Sequence, residues 1–377
     1  MKKLSERVSN LEVLSILEVA AGASPECIDL TVGEPDLPPD PLVKEGIIEA
    51  LEKNLTKYTA DEGILELRKA VADDLKERYG VSYDTDEIII TQGGAGAIFS
   101  SLLALLNEGD KAILQSPWYS GHLRALNLLR VKSFPLKTFE KGYPLEINLE
   151  SLPQDAKIIF LCSPNNPTGM ILKHEDLEKI LFFAIQNDQI ILIDIAYEAL
   201  TDSGKVPLPI EFKKGKERTI IIGSFSKCYS ITGLRIGYVA APKDIAVGVK
   251  KTISTFSFCA NSITQYGVLK AFRCGNPNFP SLREEFKRRR EICTEILHKA
   301  GIKFAKPEGG FFLFPYFEDG RKDVERAKFL VEKAKVITVP GYPFFGPDGK
   351  GHLRIALTKP IETLRKALEQ IVSALPK

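Results

Sequence analysis

The chain has 377 residues, a formal net charge of +2 and 44% hydrophobic residues. That length suits one large domain with a smaller one, and the near-balanced charge gives no electrostatic footprint for nucleic acid or an acidic membrane face. The six cysteines, Cys27, Cys162, Cys228, Cys259, Cys274 and Cys293, are scattered without a C-x-x-C pair, which argues against a zinc site or a disulfide framework and favours a reducing cytoplasm.

The N-terminus reads as an amphipathic segment, because Glu6, Glu12 and Glu18 interrupt any apolar signal-peptide core. The apolar stretch from Ile88 to Leu106 is split by "TQGGAG" and reads as strand, glycine turn and buried helix rather than a membrane span. Five further strand-like runs follow: "KAILQSP" to Pro117, "KIIFLCSP" to Pro164, "QIILIDIAYE" to Glu198, "RTIIIGS" to Ser224 and "RIGYVAAP" to Pro242. Continuous apolar runs of this kind suit strands buried on both faces. With helical patterns between several of them they predict a mostly parallel sheet in an α/β domain. A long charged helix is expected from about Pro280 to Lys299, with the run Lys287–Glu291 as its solvated face. "GGFFLFPYF", a helix near Val324 to Lys335, "HLRIAL" and a closing helix complete a smaller α+β unit. The expected division is 41–270 as the large domain, with 1–40 and 271–377 forming the small one.

In open α/β sheets ligands sit beyond the carboxyl ends of the strands. The residues just past each strand are Gly93, Gly94 and Ala95; Trp118 and Tyr119; Asn165 and Asn166; Asp194 and Tyr197; and Ser224, Ser226 and Lys227, with Arg235 eight residues on. So many polar groups at one edge are costly unless a ligand pairs them. The glycine turn opening a helix, with Ser224 and Arg235, suits a phosphate. It matches neither the Walker pattern nor the dinucleotide fingerprint. Asp194 suits a basic ring nitrogen, Asn166 and Tyr197 a phenolic oxygen, an aromatic at 118 or 119 the ring face, and Lys227 an aldehyde. The ligand so described is pyridoxal 5′-phosphate, held as a Schiff base. No metal is expected.

With these residues assembled, the chain resembles the class I/II aminotransferases of the fold type I pyridoxal-phosphate enzymes, closest to the aspartate, aromatic and alanine branch. "SFSKCYSITGLRIGY", "SPNNPTG", "DIAYEAL" and "LRIAL" carry the resemblance in the family's order. The resemblance implies that Lys227 binds the aldehyde and moves the Cα proton. Asp194 would hold the ring nitrogen protonated, while Tyr197 and Asn166 hold the ring oxygen. Gly94, Ala95, Ser224 and Arg235 would hold the phosphate, and Tyr119 stack on the ring with Trp118 lining the site nearby. Arg354 would clamp the substrate α-carboxylate, with the Gly33 backbone assisting. Tyr58 would reach the phosphate of a neighbouring subunit, which makes the expected enzyme a homodimer with shared sites. The reaction implied is a ping-pong exchange between an L-amino acid and a 2-oxo acid.

A C–S lyase, decarboxylase or cyclopropane-forming synthase would use the same lysine and aspartate. A ligand-sensing regulator lacks a segment for a DNA-binding domain, and a dead homologue is disfavoured by the filled catalytic positions. Ala95 stands where some aspartate-using members carry a lysine that reads the distal carboxylate, which counts against an aspartate preference. Trp118, Phe256, Phe344 and Phe345 hint at an apolar or neutral substrate side chain, whereas a pocket-facing N-terminal glutamate would suit a cationic one.

Overall fold

The computed structural model describes residues 4–9, 11 and 16–375; Glu12 lies outside the described residues. A seven-stranded sheet organises most of the chain. Its strands are β1 (Ile88–Thr91), β2 (Lys111–Ser116), β3 (Lys132–Lys137), β4 (Ile158–Cys162), β5 (Ile190–Asp194), β6 (Thr219–Ser224) and β7 (Gly237–Ala240). Their spatial order is β1-β7-β6-β5-β4-β2-β3, and every pairing is parallel except those of β7, which runs antiparallel to both neighbours.

The isoleucine-rich runs bury both faces, as a parallel sheet requires. Ile88, Ile90, Ile191, Ile193 and Ile221 point into one apolar cluster, and Ile89, Leu192, Ile220 and Ile222 into another on the opposite face. Helices α1 (Pro41–Glu52), α2 (Leu65–Tyr79), α3 (Gly93–Leu105), α4 (Ser120–Leu128), α5 (His174–Gln186), α6 (Lys243–Phe256) and α7 (Ser262–Arg273) supply the outer layers. Leu67 and Leu75 of α2, Ile180 of α5 and Val268 of α7 join the first cluster, while Leu102 of α3, Leu126 of α4 and Val249 of α6 join the second. Local chemistry sets the ends. Asp40 caps α1 by accepting from the Leu42 backbone at 2.8 Å, and α2 stops at Gly80, whose φ of 71° suits glycine.

Strand β3 has no counterpart among the predicted strands. Its sequence, "KSFPLK", is half exposed and carries Pro135, which fits an edge strand and hides the apolar pattern of a central one.

The C-terminal part contains α8 (Phe279–Lys299), α9 (Asp323–Ala334), α10 (Ile361–Ala374) and a small antiparallel sheet of β8 (Phe312–Leu313), β9 (Val339–Pro340) and β10 (Leu353–Ala356), with β10 central. Helix α10 buries Leu364, Ala367, Leu368 and Ile371, one stripe at helical spacing. The N-terminal segment joins this core: Ile28–Asp29 pairs in parallel with Val336–Ile337, and Val19 and Leu30 enter the same apolar cluster.

The basic run on α8 is not the solvated face expected. Arg289 and Arg290 are buried. Arg289 Nη1 donates to Asp36 at 2.6 Å and to the Leu357 carbonyl at 3.1 Å; Arg290 donates to Asp202 at 2.7 Å and to the carbonyls of Leu200 and Gly310. These carboxylates and carbonyls are remote in sequence, so no helix-periodicity argument could reveal them. Among the described residues no helix is long and apolar enough to cross a membrane.

Candidate active site

The strand registers bring the polar residues to one edge. Cys162 of β4 lies beside Asp194 of β5, and Gly237 of β7 lies between Thr91 of β1 and Ser224 of β6. Gly237 must lack a side chain here. A Cβ would sit 2.6 Å from the Gly223 carbonyl and 2.8 Å from the Gly93 carbonyl carbon, so glycine is what lets α3 begin against the sheet edge. Gly93, at φ +72°, turns the chain into α3, and a Cβ there would lie 2.9 Å from an Arg235 guanidinium nitrogen. Gln92 gives α3 no side-chain cap, so its first backbone N–H groups are available to an anion.

A cavity of about 530 Å³ opens at this edge, lined by Gly33, Gly94, Ala95, Tyr119, His122, Arg124, Asn166, Asp194, Tyr197, Ser224, Ser226, Lys227, Arg235 and Arg354 among others. Lys227 stands on a one-turn helix, Phe225–Cys228, which Ser224 caps by accepting from the Ser226 backbone at 3.3 Å. Its Nζ donates to the Gly33 carbonyl at 2.6 Å. Burial lowers the Lys227 pKa to about 8, aided by the positive charges of Arg235 and Arg354 and opposed by Glu34 and Asp194. The lysine is therefore poised to be a neutral amine in mildly alkaline solution.

Asp194 is buried. One carboxylate oxygen pairs with His122 Nε2 at 3.0 Å and the other accepts from the Ala196 backbone at 3.0 Å. The His122 ring lies against Phe160, with centroids 4.4 Å apart. Tyr197 is buried, and burial raises its pKa, so it stays a phenol able to donate. Asn166 Nδ2 donates to the Tyr197 hydroxyl at 3.3 Å, and Asn166 Oδ1 accepts from Arg354 Nη1 at 3.3 Å. Arg354 Nη2 also donates to the Thr31 carbonyl at 2.5 Å. The guanidinium lies 4.4 Å from the Phe312 ring centre and 5.3 Å from that of Phe345. Burial pulls its pKa down to about 10, so it stays charged at neutral pH. Its Nε and the Ser226 hydroxyl are buried without a hydrogen-bond partner. These are groups that a ligand would satisfy.

Behind the site, Glu198 anchors the segment that carries Asp194 and Tyr197. It pairs with Arg78 Nη1 at 2.6 Å and accepts from the Tyr79 hydroxyl. This buried pair stands in the wall of another cavity, of about 610 Å³, whose lining among the described residues contains no lysine.

Of the residues expected from sequence, two lie away from the cavity. Trp118 is buried against Gly346, where a Cβ would meet the indole at 2.4 Å, and it does not line the cavity; Tyr119 does. Tyr58 is 83% exposed and packs at a tilt against Phe258, ring centroids 5.7 Å apart. Phe256, Phe344 and Phe345 are also absent from the lining, and Glu6 pairs with Arg130 at 2.8 Å. Sequence reasoning missed His122 and Arg124, and it placed Ser226 at the strand end without giving it a role. His122 lies three residues after Tyr119 on α4, a spacing that puts both on one helix face.

The arrangement is that of an enzyme carrying an amine nucleophile, a buried carboxylate and an anion cradle in one cavity. The family model described as aminotransferase class I and II matches residues 25–371, and the chain belongs to that family. It is 34% identical to the aspartate aminotransferase of Thermotoga maritima over 380 residues, covering 98% of each chain. It is 32% identical to aromatic-amino-acid aminotransferase 2 of Thermococcus litoralis, covering 98% of this chain and 97% of that one. The solved structure of Thermus thermophilus aspartate aminotransferase with maleate superposes over 100% of both chains with a TM-score of 0.91 at 29% identity. The fold is the type I aminotransferase fold and the protein is an aminotransferase.

Proposed function

We propose that the cavity binds pyridoxal 5′-phosphate and that the enzyme uses it to exchange an amino group between an L-amino acid and a 2-oxo acid. The observation that carries this reading is the shared cavity: Lys227, Asp194 and the α3 start face one space, with Arg235 beside Gly93 and the Asn166–Tyr197 pair in the same lining. The donor set fits the cofactor. The free N–H groups of α3, Ser224, the unpartnered Ser226 hydroxyl and Arg235 would hold the phosphate. Asp194, oriented by His122, would accept from the ring nitrogen. Tyr197 and Asn166 would donate to the ring oxygen, and Tyr119 would cover a ring face. When bound, the cofactor supplies an aldehyde for the amino group and a ring that takes up the electron pair left at Cα.

The protein's own groups supply the rest. Arg354 binds the α-carboxylate in a bidentate pair, and Asn166 fixes the guanidinium plane while holding Tyr197. Lys227 Nζ, freed when the substrate amine takes its place, would take the Cα proton and deliver it to the carbon that carried the aldehyde, with the reverse transfer in the second half of the exchange. Titrating the purified protein with cofactor and following visible absorbance tests the reading. Adding single amino acids should remove the band of the lysine-linked cofactor, and a 2-oxo acid should restore it. A protein that takes up no cofactor with Lys227 intact would overturn it. The rate of cofactor capture should rise about tenfold per pH unit and level off above about 8, because only the neutral amine attacks the aldehyde and burial places its pKa there.

The division into 41–270 and a smaller unit of 1–40 with 271–377 draws support from the separate apolar cluster around β8–β10. A homodimer draws support from the exposed aromatics: Tyr58 against Phe258, with Phe256 half exposed. If Tyr58 completes a partner's phosphate site, mixing Lys227→Ala and Tyr58→Ala subunits should give hybrids with one intact site. Activity after mixing should exceed the mean of the two parents; equality would remove Tyr58 from the shared site.

A further inference from the structure

Four cations and one carboxylate line the active-site cavity: Lys227, Arg235, Arg354 and Arg124 against Asp194. Three of the cations already have anionic or covalent partners in the reading above, which are the aldehyde, the phosphate and the α-carboxylate. Arg124, on α4, is half-buried and forms no hydrogen bond or ion pair with the described residues. A partly desolvated guanidinium without a counter-charge is unfavourable, and its planar fork suits a carboxylate.

The surrounding wall leaves it room. Gly121, one turn earlier on α4, and Ala95, at the start of α3, line the same cavity and project no more than a methyl group. Gly121 is held to that size, because a Cβ would lie 2.4 Å from the Tyr119 ring. Among the described residues no aspartate or glutamate apart from Asp194 lines the cavity, and Asp194 is engaged by His122 and the Ala196 backbone.

We propose that Arg124 is a specificity-determining residue that binds a second carboxylate, carried on the substrate's side chain, so that the enzyme prefers acidic amino acids and the matching 2-oxo dicarboxylic acids. This rests on the cavity being the cofactor and substrate site argued above. The apolar or neutral side chain suggested by Trp118, Phe256, Phe344 and Phe345 loses its basis, since none of these rings lines the cavity.

The test uses the cofactor-loaded protein and compares aspartate, glutamate, alanine and phenylalanine as donors. The wild type should favour an acidic donor in kcat/KM. Arg124→Gln should lower the acidic-to-alanine ratio by about 30-fold or more, the scale for losing one partner of a desolvated charge pair. The loss should fall mainly on the KM of the acidic donor, and Arg124→Lys should restore part of the ratio. A purely structural role would depress all donors alike and leave the ratio unmoved, which overturns the proposal. So would a ratio unmoved by Arg124→Gln together with a changed oligomeric state, which would assign Arg124 to a subunit contact. If alanine or phenylalanine discharges the absorbance band at least as well as aspartate, the proposal fails while the aminotransferase reading stands. If no donor discharges it, both fail.

Discussion

Lys227→Ala is expected to abolish the visible absorbance of the cofactor-loaded protein and to lower transamination by at least about 10⁴-fold, at the upper limit of what a single acid–base group contributes. Two functions vanish together. The amine that captures the aldehyde is lost, and so is the base that moves the Cα proton. The fold should tolerate the change. Among the described residues the one hydrogen bond that Lys227 Nζ makes is to the Gly33 carbonyl, and burial already disfavours its charge. The thermal midpoint should therefore change little. Lys227→Arg should be equally inactive, because a guanidinium keeps its proton at neutral pH and cannot attack an aldehyde. Retained activity in either variant would remove Lys227 from the chemistry.

The sheet was legible because its strands are continuous apolar runs, and a sheet covered on both faces demands that pattern. The edge strand β3 was not, since its lysines and Pro135 serve exposure rather than burial. At the site, residues following a strand could be listed from sequence because strand ends converge by topology. Partners supplied by a different part of the chain could not. His122 reaches Asp194 across 72 residues, and the Thr31 carbonyl reaches Arg354 across 323. The buried arginines of α8 make the same point: charge in a helix pattern reads as solvent-facing until distant carbonyls and Asp36 are known to surround it.

Arg354→Gln should reduce kcat/KM for every amino-acid donor by about 10³-fold, within the range for truncating one partner of a buried charge pair. The reasoning runs through its neighbours. Arg354 is held in place by the Thr31 carbonyl, by Asn166 and by the rings of Phe312 and Phe345, yet among the described residues its Nε has no partner and no carboxylate pairs with it. A buried cation is maintained at a cost in stability only if something else neutralises it, and in the proposed reading the α-carboxylate common to all donors would do so. Glutamine should therefore weaken substrate binding without destabilising the fold, and the variant should melt no lower than the wild type in the absence of substrate. Arg354→Lys should recover only part of the loss, because a point charge cannot reproduce the two parallel hydrogen bonds. The pH profile gives a second check. Since burial sets the guanidinium near 10, donor affinity should hold from neutral pH upward and fall only as the pH approaches that value. Cofactor absorbance should persist in both variants. The loss is then confined to substrate, and it is common to all donors, unlike the acid-selective loss expected at Arg124.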